Sequence, residues 1–149
     1  MNLEANLNAH IKFTMEIEQE DEQSTTSYET LGRFYEEAHG YFLFFDEKSD
    51  QDTEVTKCRF ELSGDKLRLR RVGPITVEQS HSEKKQTTGY IKTPFGRMAT
   101  TIQTNILSFN RLATGFYRLN LHYDLYIQGE KTGTYQLKIT VTQKEEHVS

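Results

Sequence analysis

The sequence predicts an all-β protein: one antiparallel β-barrel of eight to ten strands, closed or nearly closed, spanning residues 1–149 as a single domain. Three observations lead there. Apolar and polar residues alternate with period two through most of the chain, the pattern of strands with one buried and one wet face. Gly and Pro punctuate that alternation at short intervals, as hairpin turns require. The composition joins only 35% hydrophobic residues and a mean hydropathy of −0.72 to 9 Phe, 8 Tyr and a net charge of −4. Disorder needs few aromatics and strong charge imbalance, so this chain folds and carries its polarity on exposed faces.

Residues 7–18 open the pattern. Leu7, Ala9, Ile11, Phe13, Met15 and Ile17 are apolar, and every position between them is polar. Residues 27–36 form a weaker strand. Taken as 29–39, the same stretch also fits a short helix, with Leu31, Phe34, Tyr35 and Ala38 at helical spacing. Residues 41–46 (YFLFFD) are a near-continuous aromatic strand. Cys58, Phe60 and Leu62 alternate with Arg59 and Glu61 before a turn at Ser63-Gly64-Asp65. Residues 66–72 follow with Leu67 and Leu69 on one face, and Gly73-Pro74 ends them. Residues 75–80 resume a strand, 81–85 read as a polar loop, and 86–92 form another strand broken at Thr93-Pro94-Phe95-Gly96. Met98, Thr100, Ile102, Thr104 and Ile106 define the inward face of a long strand. Residues 116–142 read as a long hairpin about Gln128-Gly129-Glu130-Lys131.

Strands joined in sequence make a meander, which exposes two edges unless it closes. Eight to ten strands can close around side chains or one small ligand. Several of these strands exceed the usual length of five or six residues, which favours a tilted barrel over a sandwich. Dimerisation is expected only if an edge stays open. The chain has no apolar run of 18 residues, so no membrane is expected as a partner. The N-terminus lacks a basic start and an apolar core, and the lone Cys58 permits no internal disulfide, so a cytoplasmic location is expected.

Charge is uneven. Residues 1–54 hold fourteen acidic and three basic residues, whereas residues 55–149 hold eight and fifteen. Within residues 66–97, eight Lys and Arg stand against Glu78 and Glu83. Cross-strand pairing of acidic and basic strands accounts for this simply. The alternative is an outer basic face that attracts an RNA or an acidic protein, although a pI of 5.7 speaks against a dedicated nucleic-acid binder. The acidic segments 18–22 and 46–52 read as solvated hairpin tips without the glycine and terminal glutamate of a calcium loop.

No catalytic, cofactor or metal signature is present: no CxxC, HExxH, GxSxG, GxGxxG or phosphate-cradling glycine loop. Cys58 shares an apolar face with Phe60 and Leu62 and reads as a core residue. The five histidines lack metal-ligand spacing, and His122 with Asp124 reads as a surface pair. One position resists a bland reading. The inward face of residues 66–72 runs Leu67, Leu69, Arg71, placing a guanidinium where the core should be. Such a charge needs an acidic partner, a water-filled interior or an anionic ligand, unless it sits at the barrel mouth or turns outward through a bulge before Gly73. Thr100, Thr104, Tyr117, Tyr123 and Tyr135 add hydroxyls to the same inward side. Arg71 and these five residues are the candidate ligand-binding set, and the expected function is non-enzymatic binding of a small amphipathic or anionic ligand.

Arg71-Val72-Gly73, the turn Thr93-Pro94-Phe95-Gly96, and the terminal hairpin with Leu119-Asn120-Leu121-His122-Tyr123-Asp124-Leu125 and Tyr135-Gln136-Leu137-Lys138-Ile139 together resemble the YwiB-type family of small Gram-positive bacterial proteins, a domain of unknown function. The resemblance is firmest over residues 58–141. It implies a calycin-like, lipocalin-type barrel and brings no established activity. The chain has no Trp, and so lacks the tryptophan of the lipocalin GxW start.

Overall fold

Alternation decides the architecture. In the computed structural model, which describes residues 7–48 and 54–144, the alternating segments form ten strands. They are β1 (Ala9–Gln19), β2 (Glu22–Glu37), β3 (Gly40–Lys48), β4 (Val55–Ser63), β5 (Lys66–Val72), β6 (Thr76–Ser82), β7 (Gln86–Thr93), β8 (Gly96–Ala113), β9 (Phe116–Ile127) and β10 (Glu130–Gln143). Each pairs antiparallel with its neighbours in sequence, and β1 pairs with β10, from Ala9 opposite Gln143 to Glu18 opposite Thr134. The barrel is therefore closed, and closure removes every free edge.

Inward residues of eight strands, all but β6 and β7, meet in one apolar core, while β6 turns Gln79 and His81 inward. Ile11, Ile102, Leu121, Ile139 and Val141 are wholly buried, and Phe34, Phe60 and Leu67 nearly so. No helix of the described residues is long and apolar enough to cross a membrane.

The helical alternative for 29–39 does not form; that stretch lies in β2 and the turn after it. Phe34 is buried while Leu31 and Tyr35 are 41% and 39% exposed, so three positions that a helix would put on one face are split by the pleat. β2 is long because it serves two neighbours: residues 22–32 pair with β1, and residues 32–37 with β3. Gly32 is the shared position. A Cβ there would lie 2.4 Å from the Phe44 carbonyl oxygen and 2.5 Å from Ile11 Cδ1, so only glycine lets the strands cross this closely.

Two further expectations change. Residues 81–85 are only partly a loop, because His81 and Ser82 belong to β6 and are buried. The turn after them docks on β8, with the Lys84 amide donating to the Thr104 carbonyl at 2.8 Å and the Thr104 amide donating to the Lys85 carbonyl at 3.1 Å. Ile106 does not share the inward face of Met98, Ile102 and Thr104. The ladder to β9 shifts between Thr104 and Ile106, which sets Ile106 opposite outward-facing His122 and leaves it 42% exposed. The acidic segment 46–52 lies partly outside the described residues; its first part belongs to β3. The β9–β10 turn falls as expected, with Gln128 and Gly129 at φ of 53° and 81°, the left-handed pair of a tight hairpin.

Candidate functional site at the barrel mouth

Arg71 answers the question its position poses. It points inward at the end of β5, opposite Cys58 of β4 and Val77 of β6. Its Nη2 pairs with Glu47 Oε2 across the intervening strand, so the interior charge has an acidic partner. Leu43 and Phe45 precede Glu47 on the inward face of β3, so the pleat alone brings the carboxylate there. Both side chains are partly open to solvent, at 32% for Arg71 and 23% for Glu47, which places the pair at the mouth rather than in the centre.

Aromatic rings wall the pair on one side. Tyr28 of β2 stacks on Phe13 with centroids 4.6 Å apart, and Phe45 lies 5.8 Å from Phe60. Burial, and then the Glu47 carboxylate, push the Tyr28 phenol far above its usual range. Burial likewise raises the Cys58 thiol to about 11 against the opposing pull of Arg71, so this cysteine stays protonated and unreactive at neutral pH. Desolvation opposes the Arg71 charge, but the Glu47 carboxylate beside it offsets that cost and the guanidinium stays protonated. On the other side the inward row continues from Arg71 through Val77, Ile91 and Met98, which are only partly covered, Met98 being 38% exposed. Among the described residues, Arg71 Nε and the Tyr28 hydroxyl are buried with no hydrogen-bond partner at bonding distance. The mouth thus joins a guanidinium with spare donors to a half-open apolar lip.

The other candidate residues fall into two separate places. Thr104, Tyr123 and Tyr135 belong to a polar seam through the barrel wall. His81 Nε2–H donates to Gln79 Oε1 at 2.9 Å, and its Nδ1 accepts the Thr104 hydroxyl at 2.8 Å. Tyr123 packs 4.8 Å from the His81 ring and stacks on Tyr135 at 4.9 Å. Burial lowers His81 to about 4 and raises the Tyr123 phenol. Thr100, buried on the same face, has a hydroxyl with no hydrogen-bond partner among the described residues. Tyr117 sits at the opposite end in an aromatic plug with Phe34, Tyr41 and Phe109. Asp124 does not engage His122. It accepts from Thr134 at 2.7 Å and Asn105 at 3.3 Å, and it pairs with Lys131.

Sequence reasoning missed Glu47, Tyr28 and His81. Extending the alternation of 41–46 by two residues would have found Glu47, and Val77-x-Gln79-x-His81 carries the same signal for His81. Tyr28 carries no such signal, because Thr30 and Gly32 follow it on the same face and break the apolar alternation.

The geometry defines a small closed-barrel protein with a packed centre and a charged, aromatic-walled mouth. The chain belongs to the domain-of-unknown-function family DUF1934, whose profile matches residues 11–139. Among solved structures it is similar to the ywiB protein from Bacillus subtilis, at 17% identity and a TM-score of 0.79, over 97% of this chain and all of that one. At that identity the likeness establishes the barrel alone. No curated protein sequence matches the chain.

Proposed function

We propose that this barrel is a non-catalytic, water-exposed binding module that takes the anionic head of a small amphipathic molecule at its mouth. The observation that carries this reading is the juxtaposition of the Arg71 side chain, partly open to solvent, and the partly uncovered row Val77, Ile91, Met98. Arginine has five donors, so Arg71 can hold Glu47 and a ligand carboxylate or phosphate together. The apolar tail would lie on the lip, beside exposed Ile75 and Phe95 in the two adjoining loops. The packed interior favours the mouth over the barrel centre as the ligand position. A protonated Cys58 and a neutral, buried His81 favour binding over nucleophilic catalysis. Outward Arg59, Arg68 and Arg70 favour water rather than lipid around the wall.

Calorimetry with dodecanoate and with dodecanol tests the proposal. Dodecanoate should bind, and Arg71→Met/Glu47→Gln, which leaves no unpaired charge, should bind it at least tenfold more weakly. Glu47→Gln alone should tighten binding by removing the competing carboxylate. Equal affinity for the alcohol, or an unchanged affinity in the double variant, would sink the proposal.

A further inference from the structure

The outward side chains of β2–β8 form a second surface, distinct from the mouth. Register sets Arg33, Phe44, Arg59, Arg70, Glu78 and Tyr90 in one row across six adjacent strands. At about 4.8 Å per strand, that row is roughly 24 Å long. The next row runs Tyr35, Phe42, Glu61, Arg68 and Ser80. Between the rows lies a shallow cleft of about 130 Å³, lined by Arg59, Glu61, Arg68, Arg70 and Glu78.

Surface ion pairing explains part of this pattern. Arg59 pairs with Glu61, and Glu78 is shared by Arg68 at 3.4 Å and Arg70 at 3.9 Å while accepting the Tyr90 hydroxyl at 2.9 Å. It leaves two facts over. Aromatic rings stand on the wet face of the barrel, where alternation elsewhere puts polar residues. Guanidinium groups are laid over those rings: Arg33 and Arg59 lie 5.0 and 5.7 Å from the Phe44 centroid, and Arg97 lies 3.8 Å from that of Tyr90. Tyr35 meets Phe44 edge-on at 6.3 Å and is 39% exposed. Among the described residues, Arg33 and Arg97 pair with no carboxylate. Five arginines therefore face two glutamates on a surface that also offers π-faces.

Phosphates need the first of these features and unstacked bases need the second. We propose that the outer face of β2–β7, flanked by Arg97 of β8, binds single-stranded nucleic acid: Arg33, Arg59 and Arg97 swing off the Phe44 and Tyr90 rings and join Arg68 and Arg70 on the backbone, and the rings they uncover, with Tyr35, become stacking platforms. A duplex, its bases already stacked, would use only the arginines. An acidic polypeptide likewise gains nothing from the rings. The overall charge of −4 is only partly remote from this face: Glu18, Glu20, Asp21 and Glu22 lie at the β1–β2 tip, whereas Glu29 of β2, which pairs with Lys12, and Asp46 of β3, which stands opposite Lys57, border the rows in which four arginines face Glu61 and Glu78.

Fluorescence anisotropy with a 15-nucleotide oligouridylate gives the test. The wild-type chain should bind with log affinity falling against log salt at a slope of roughly −2 to −3, as three or four phosphate contacts on a single strand require. Arg59→Ala/Arg70→Ala should lose at least tenfold in affinity and make the slope shallower by about 1.4, the share of two phosphate contacts on a single strand. Phe44→Leu keeps an apolar body without an aromatic face; it should lose about tenfold with the slope unchanged and the melting temperature near that of wild type. Lys138→Ala, on the far side in β10, should change nothing, and Arg71→Met/Glu47→Gln should leave oligouridylate binding intact, which separates this surface from the mouth. Absence of binding, indifference to Phe44→Leu, or equal competition by a duplex or polyglutamate of the same length would each overturn the proposal.

Discussion

Phe34→Ala should destabilise the protein by about 3–5 kcal/mol, the cost of deleting a fully buried aromatic ring, and lower the melting temperature by roughly 10–15 °C. Phe34 is 1% exposed, with the Tyr117 ring 4.7 Å away, Tyr41 5.7 Å away and Phe109 6.1 Å away. These rings plug the end of the barrel opposite the mouth. The wall around them cannot collapse into a void, because each strand is held on both sides by backbone ladders, and the Asn8 side chain brackets Phe34 itself. Asn8 Oδ1 accepts the Phe34 amide at 2.7 Å, and its Nδ2 donates to the Phe34 carbonyl at 3.0 Å. The paired control is Leu31→Ala, three residues earlier and facing solvent, which should cost under about 1 kcal/mol. Urea melts of the two variants decide the matter. Equal losses would mean that the two side chains share an environment, as the helical spacing of this segment implies, and the strand assignment would fall.

That pair of residues also shows what the sequence could carry. Where polar and apolar residues alternate cleanly, as from Ala9 to Ile17 or from Tyr117 to Ile127, the pleat leaves one arrangement, and strand, face and neighbour all follow. The segment with Leu31, Phe34 and Tyr35 fits two periods, and only pairing with Phe45 and Leu43 across the β2–β3 ladder selects one of them. Ile106 shows a second limit. A bulge at Asn105 has no signature in the local pattern, yet it turns the following residues over, so a face that holds from Met98 to Thr104 fails two positions later. The candidate site was legible in its centre and not in its surroundings. Arg71 announced itself as a charge on an apolar face, but its partner Glu47 lies 24 residues away in sequence and is brought close only by the two intervening hairpin ladders. Hydroxyls on one face cannot reveal their depth along the barrel axis, which is why Tyr117 and Tyr123, six residues apart and both buried, turn out to serve an aromatic plug and a polar seam.

The polar seam carries the second large effect, because it ties stability to pH through one imidazole. Burial drops His81 from an ordinary value near 6.5 to about 4, while in the unfolded chain it titrates normally. Below about pH 6.5 the unfolded state takes up a proton that the folded state refuses, so stability should fall as the solution is acidified and stop falling from this source near pH 4. Two and a half pH units at 1.36 kcal/mol each amount to about 3 kcal/mol, a large share of a typical folding free energy. Protonation has a structural cost visible in the contacts: His81 Nδ1 accepts the Thr104 hydroxyl, and a proton there would face a donor that must turn away. Desolvation raises Asp124, but Thr134, Asn105 and Lys131 together hold it below the usual carboxylate range, so its acid-labile contribution falls chiefly below pH 4 and leaves the window above to His81. Denaturant melts at half-unit steps from pH 7.5 to 4 should therefore show wild-type stability declining by about 3 kcal/mol more than that of His81→Gln, whose amide cannot titrate. The imidazole resonances of His81 should stay those of the neutral ring down to about pH 4.5. Parallel pH profiles for the two proteins would show that the ring is charged inside the barrel, and would require an acidic partner in the seam where Gln79 and Thr104 now sit.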